Sequence, residues 1–307
     1  MSTDKKYIVA TRPSLLAYTQ TCQTVELLKE KNPDCSFEIV KFSTQGDKVT
    51  DKPLTQFGGT GVFVKELENA ILDGKADFAV HSLKDVPGFQ PDRLILASFT
   101  KREDPRDILL TRTGCTLEQL EDNCIIGTGS PRRIVQLASF KPNAKFKDLR
   151  GNVDTRLKKL SEEDYDAIVI AAAGMKRLNK IFPENAYLPV DSFIPAIGQG
   201  IIAIECLSDD ADVIEILRKV NHEDTENASI AERSFMRTIG GGCKFPLAAY
   251  STIKGDEINL AAMIGNHFTF KTYYTSGKAS ISDAEVLGRE LGKEIIAAAA
   301  SMNIKIS

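Results

Sequence analysis

No apolar run in the 307 residues reaches the roughly 18 needed to cross a bilayer, so no membrane span is expected. The opening Met1-Ser2-Thr3-Asp4-Lys5-Lys6 leads straight into a strand-like segment, and no signal peptide is expected either. Histidine is scarce: the three at 81, 222 and 267 argue against a multi-histidine metal centre, and no metal site is expected. The six cysteines, at 22, 35, 115, 124, 206 and 243, include no C-x-x-C pair, which excludes the usual zinc spacing and a disulfide framework. A reducing, cytoplasmic setting fits that usage best. An excess of basic charge is also missing. Lys and Arg number 39 against 42 Asp and Glu, so the molecule as a whole is not an electrostatic nucleic-acid binder. Any anion site has to be local. Internal repeats and low-complexity stretches are absent too.

What remains is an ordinary globular composition, 42% hydrophobic and 26% charged, in a chain long enough for two or three domains. Tyr7-Ile8-Val9-Ala10 predicts a buried strand, and Ser14 can cap a helix running to about Lys31. Phe37–Val40 begins the next strand, a β-α-β start that favours a parallel sheet. Arg12 then lies at the carboxyl end of the first strand, where open α/β sheets hold ligands. Residues 43–61 form a polar stretch with four glycines and one proline, read as a mobile lid over a cleft. A helix is expected over 62–73. Next, the apolar strand at Phe78 runs into His81-Ser82-Leu83-Lys84-Asp85-Val86-Pro87. Asp85, kept ionised by polar neighbours, suits stabilising a developing cation or moving a proton. It also fits an ordinary Asp before a turn. His81 reads as a packed, hydrogen-bonded residue.

After strand Leu94–Phe99, the charged segment 101–107 reads as a hinge into a second lobe. Strands are expected at Ile108–Leu110 and Cys124–Gly127, with a helix at Thr116–Asp122 between them. In Gly127-Thr128-Gly129-Ser130-Pro131-Arg132-Arg133, Ser130 and Pro131 open a helix whose N-terminus suits an anion. Two arginines in a first helical turn oppose the helix dipole, which suggests that a negative ligand holds them there. Arg150 and Arg156 follow the next strand, and Arg177 the one after, so five arginines are expected at three successive strand-to-helix turns. Arginine binds carboxylate or phosphate through two parallel hydrogen bonds. Ile194-Pro195-Ala196-Ile197-Gly198-Gln199-Gly200 reads as a second hinge before a buried strand at 201–206. A helix at 211–220, a longer one at Glu223–Thr238, three strands and a final helix from Ser282 to about Met302 complete the chain. Between them stands Gly240-Gly241-Gly242-Cys243-Lys244-Phe245-Pro246, a loop able to present a thiol whose thiolate Lys244 favours. On the residues alone, a non-enzymatic anion-binding protein with two lobes stays open. A thiol-dependent acyltransferase or hydrolase also stays open, although it would want a histidine beside Cys243.

Taken in order, six motifs resemble the porphobilinogen deaminase (hydroxymethylbilane synthase) family. They are Phe63-Val64-Lys65-Glu66-Leu67-Glu68, His81-Ser82-Leu83-Lys84-Asp85-Val86-Pro87, Arg102-Glu103-Asp104-Pro105-Arg106-Asp107, Leu149-Arg150-Gly151-Asn152-Val153 with Thr155-Arg156-Leu157, Ala196-Ile197-Gly198-Gln199-Gly200 and Gly241-Gly242-Cys243. The resemblance implies an α/β fold: two lobes like periplasmic binding proteins, joined by two hinge crossovers, plus a small α+β C-terminal domain. Its domains would be 1–100 with 201–219, 101–200 and 220–307, the strand at 201–206 returning to the first lobe.

The family carries a dipyrromethane cofactor bound through a thioether to the loop cysteine, here Cys243. On it, four porphobilinogen units condense head to tail, each losing ammonia through an azafulvenium-like pyrrole. Hydrolysis releases hydroxymethylbilane for haem and other tetrapyrroles, and the dipyrrole stays behind. By this resemblance Asp85 is the catalytic carboxylate, and Arg12, Arg132, Arg133, Arg150, Arg156 and Arg177 bind the pyrrole acetates and propionates. Lys84, Ser14, Ser82, Thr128, Ser130 and Gln199 are secondary contacts. A cytoplasmic monomer that passes its product to uroporphyrinogen-III synthase is implied, with no nucleic-acid or membrane partner. Four positions depart from the family pattern: Thr60 stands where many members have a second lysine, Gly129 and Pro131 replace a common serine and leucine, and Lys244 follows the cysteine where uncharged residues are frequent.

Overall fold

Apolar runs buried on both faces make central strands. Phe78–Ser82, Asp107–Thr111, Ala167–Ala171 and Ile202–Leu207 are such runs among the described residues, and each lies inside a sheet. The computed structural model describes residues 5–48, 61–240 and 245–304. It divides into two compact units, Met1–Glu103 with Ile201–Asn227, and Asp104–Gly200 with Ala228–Ser307.

In the first unit, β1 (Lys5–Thr11), helix α1 (Leu15–Lys31) and β2 (Cys35–Lys41) form the expected β-α-β start, with β1 and β2 parallel. The Ser14 hydroxyl accepts from the Ala17 amide at 3.4 Å and caps α1. A short helical turn, α2 (Gln45–Lys48), and helix α3 (Lys65–Leu72) follow. The lid expected over 43–61 falls mostly outside the described residues, which omit 49–60. β3 (Phe78–Ser82) lies parallel to β1, and β4 (Leu94–Phe99) closes this part of the chain.

The second unit holds β5 (Asp107–Thr111), β6 (Ile125–Gly127), α4 (Pro131–Phe140), β7 (Lys145–Lys147), α5 (Val153–Glu162), β8 (Ala167–Ala171), α6 (Ala172–Arg177) and β9 (Tyr187–Leu188). Its sheet runs β7-β6-β8-β5-β9. β6 is parallel to β7 and β8, whereas β5 is antiparallel to β8, with Asp107 opposite Ala171. The start of β5 therefore sits beside the carboxyl end of β8.

The chain then re-enters the first unit. β10 (Ile202–Leu207) inserts between β3 and β4, antiparallel to both, giving the order β2-β1-β3-β10-β4. An antiparallel partner needs no crossover helix, so a strand arriving from the far end of the chain can fill the gap. Helices α7 (Ala211–Arg218) and α8 (Glu223–Thr238) follow. The C-terminal part is a meander of β11 (Leu247–Lys254), β12 (Glu257–Gly265) and β13 (Thr272–Ser280), covered by α9 (Ala284–Ser301). Its core of Phe235, Leu260, Ile264, Leu291 and Ile295 is separate from that of the preceding sheet, and Val135, Ile194, Ala248 and Met263 join the two.

The helix expected at 116–122 is absent; these residues form turns. The Lys141 ammonium takes the Glu118 and Leu120 carbonyls at 3.1 and 2.7 Å, and the Gln119 side chain takes the Thr116 amide. Backbone groups that a helix would have paired find these partners instead.

Candidate functional site

β1 and β3 are adjacent and parallel, so their carboxyl ends lie side by side. That register brings Arg12 and Ser14, which follow β1, to the same edge as Ser82, Lys84 and Asp85, which end and follow β3. Arg12 is half-buried, with its guanidinium 4.2 Å from the centre of the Phe63 ring. Ser82 donates to Gln20 at 3.0 Å. Lys84 and Asp85 occupy a 3-10 turn, Leu83–Asp85, both half-buried. Among the described residues no hydrogen bond or ion pair engages the Asp85 carboxylate. His81 is buried, its Nε2 3.0 Å from Glu205 Oε2.

In the second unit, β6 delivers Thr128 and Ser130, and α4 opens with Pro131, Arg132 and Arg133. Ser130 stands at the N-cap position, but its side chain makes no capping bond; its amide donates instead to the Thr128 hydroxyl at 3.2 Å. The two arginines have an internal anion that sequence reasoning missed. Asp107, fully buried, accepts from Arg132 Nη2 at 2.7 Å and from Arg133 Nη2 at 2.6 Å. Arg132 also donates to the Ile194 carbonyl, Arg133 to the Val169 carbonyl, and Gln199 Nε2 to Asp107 at 3.1 Å. Burial alone would raise the Asp107 carboxyl, but the two guanidiniums overcome it and hold the group well below the usual carboxylate range. A charged residue opening an otherwise apolar strand was the one signal that could have found it. Two buried guanidiniums against one carboxylate leave a positive excess.

The remaining arginines are more open. Arg150 pairs with the half-exposed Asp148 at 2.8 Å, and Arg156 donates to the Gly151 carbonyl at 2.8 Å. Gly151 has φ +107°, and a Cβ there would meet Thr155 at 2.6 Å, so glycine is required for the turn into α5. Gly129 has another reason: a Cβ there would meet the Asp148 carboxylate. Arg177 is not at a strand-to-helix turn as expected, because α6 starts directly after β8 and places it in the last helical turn, where it donates to the Gly200 carbonyl at 2.7 Å. Gly241, Gly242, Cys243 and Lys244 lie outside the described residues, as does Thr60. No helix among the described residues is long and apolar enough to cross a membrane, and no cluster of three potential metal ligands occurs among them.

Two mixed sheets thus present polar side chains at the carboxyl ends of their strands, one offering a carboxylate and the other an excess of guanidinium. Each sheet belongs to an α/β unit and carries charged side chains at the end where open α/β sheets hold ligands. Residues 7–215 match the family described as porphobilinogen deaminase, dipyromethane cofactor binding domain, and 227–297 match the porphobilinogen deaminase C-terminal domain. Curated relatives named porphobilinogen deaminase include those of Brevibacillus brevis, 44% identical over 85% of both chains, and Syntrophomonas wolfei, 41% identical over 94% of both. That of Shouchella clausii is 42% identical over 95% of this chain and 92% of its own. Among solved structures, a YaeC-family lipoprotein from Enterococcus faecalis aligns over 75% of this chain and 97% of its own at 13% identity, with a TM-score of 0.43, a likeness too slight to carry an argument. The chain belongs to the porphobilinogen deaminase family.

Proposed function

We propose that this chain condenses four porphobilinogen molecules head to tail, with loss of ammonia, on a dipyrromethane joined through a thioether to Cys243, and releases hydroxymethylbilane by hydrolysis. The observation that carries the reading is the buried pair Arg132 and Arg133 sharing the single carboxylate of Asp107. Dipyrromethane bears acetate and propionate arms, and a positive excess in a water-poor place fits their charge. Arg132 and Arg133 are the groups to hold it, with Thr128, Ser130 and Gln199 around them. Bound there, the dipyrrole supplies the free pyrrole position on which the chain grows.

Arg150, Arg156 and Arg177, together with Arg12, Ser14, Ser82 and Lys84, would hold carboxylates of the growing product. Each charge-assisted hydrogen bond contributes roughly 1.5–3 kcal/mol. Loss of ammonia from porphobilinogen leaves a cationic pyrrole, and Asp85 is the carboxylate to face it. At ~4 Å and an effective dielectric near 20, that attraction is about 4 kcal/mol. A half-buried carboxylate without a competing partner among the described residues suits the task.

A division into three domains, 1–100 with 201–219, 101–200 and 220–307, is supported by the separate cores of the two mixed sheets and of the C-terminal meander. A cytoplasmic monomer that passes its linear product to uroporphyrinogen-III synthase completes the reading. Intact-mass measurement of the purified protein tests it: the expected result is an adduct of two linked pyrroles that disappears in Cys243→Ala. An unmodified wild-type chain that still forms hydroxymethylbilane overturns it.

A further inference from the structure

Two apolar central strands of the first unit are each interrupted by one ionisable residue. In β3 it is His81, and in β10 it is Glu205. His81 is opposite Ala203, so Glu205, two residues further, is its diagonal neighbour on the same face of the sheet. The two side chains meet at 3.0 Å with 2% and 0% exposure. Helix α3 brings a third ionisable group, the buried Glu68. The groups facing Glu68 are Glu205 from β10, His81 from β3 and Lys65 from its own helix. Strand β1 meets that helix through Ala10 and adds no charge there.

This arrangement is costly. Burying ionisable groups is unfavourable unless each is paired, and Glu205 Oε1 and the Ser98 hydroxyl are both buried without a hydrogen-bond partner among the described residues. Apolar side chains of similar volume in place of a buried charged cluster are often neutral or stabilising, so stability alone does not account for these charges. Their position gives the reason. One residue beyond His81, β3 leaves the sheet for the turn that carries Lys84 and Asp85. The same β3–β10 pair holds that turn by its backbone: the Leu83 amide donates to the Ile201 carbonyl at 3.0 Å, and the Val86 amide to the Leu83 carbonyl at 3.0 Å.

We propose that Glu205, acting through His81 and with Glu68 setting the charge of the cluster, is a positioning residue for the Lys84–Asp85 turn. The proposal rests on the reading of Asp85 as the catalytic carboxylate. Burial and the nearby Glu205 push the Glu68 carboxyl up to about 7, against the pull of His81 and Lys65. Ionisation of Glu68 near neutrality therefore adds a negative charge to the cluster and a second carboxylate that competes with Glu205 for His81.

The test uses the holoenzyme and three variants, with kcat and KM for porphobilinogen followed over pH 6–9 and amide exchange followed at Leu83 and Val86. Glu205→Gln should lower kcat about 10- to 100-fold, as small misplacements of catalytic groups do, with KM within about twofold, and should speed exchange at both amides. The wild-type kcat should fall as the pH rises through about 7, and Glu68→Gln, neutral at every pH, should carry that fall at least one pH unit higher. Either a Glu205→Gln kcat within about twofold of wild type, or a reduced kcat with unchanged exchange at Leu83 and Val86, overturns the proposal. If Glu205→Gln does not fold, a Glu68→Gln profile that superimposes on the wild type overturns it. Asp85→Asn, run alongside, should lose turnover while exchange at Leu83 stays as in the wild type. Retained turnover in Asp85→Asn would remove the catalytic reading alone, and the exchange data would still decide whether the cluster holds the turn.

Discussion

Asp107 shows how one residue changes the meaning of two others. Arginines in a first helical turn suggest an external anion, yet a buried carboxylate already holds both of these. Asp107→Asn leaves two buried guanidiniums without their counter-charge, and breaking a buried pair costs about 3–5 kcal/mol. Denaturant unfolding should show a loss of that size. Arg150 behaves differently, because its pair with Asp148 is half exposed and contributes only about 0–1 kcal/mol. Arg150→Leu should therefore keep its stability within about 1 kcal/mol of wild type. Its defect should appear in mass spectra as enzyme-bound chains stalled short of the full product; unaltered product formation would make Arg150 structural.

At the scale of elements, two glycines beside neighbouring turns differ in how strictly glycine is needed. At Gly151 the backbone itself is left-handed and Thr155, which also bonds the α5 cap Asn152 at 2.8 Å, blocks any Cβ. Gly151→Ala should destabilise by about 1–3 kcal/mol, in the range of other strained backbone positions. Gly129 meets only the far end of the half-exposed Asp148 side chain, which can swing away. Gly129→Ala should thus stay within about 1 kcal/mol, the contribution of a surface ion pair. Thermal unfolding of the two variants side by side checks the contrast. The absent helix at 116–122 belongs to the same scale. Leu117 and Leu120 stand at helical spacing, but Lys141, more than twenty residues later, takes the Glu118 and Leu120 carbonyls, and no local pattern reports such a partner.

For the whole molecule, two buried carboxyls in different units govern opposite limbs of the pH–stability curve. The Asp107 carboxyl lies below its ordinary 3.8 in the folded protein, so its contribution is present above that pH and is lost as the solution is acidified further. The Glu68 carboxyl is raised from 4.5 to about 7, so its contribution is complete below 4.5 and is lost as the pH rises through about 7. Urea midpoints measured across pH should show both limbs. Asp107→Asn should flatten the acid limb only, and Glu68→Gln the limb toward neutrality only, since the two groups belong to separate compact units.

What the sequence determined by itself was whatever depends on near neighbours: strand Leu94–Phe99 and helix Glu223–Thr238 to the residue, the Ser14 cap, and the motifs that carry the family resemblance. Hydrophobic period and capping chemistry act within a few positions, so they can be read there. The tertiary structure alone decided that β10 lies between β3 and β4, that Asp107 pairs with both Arg132 and Arg133, and that Glu205 meets His81. Each of those pairings joins residues 25 to 128 positions apart. Strand order sets which distant side chains share a buried face, and burial then makes their charges matter.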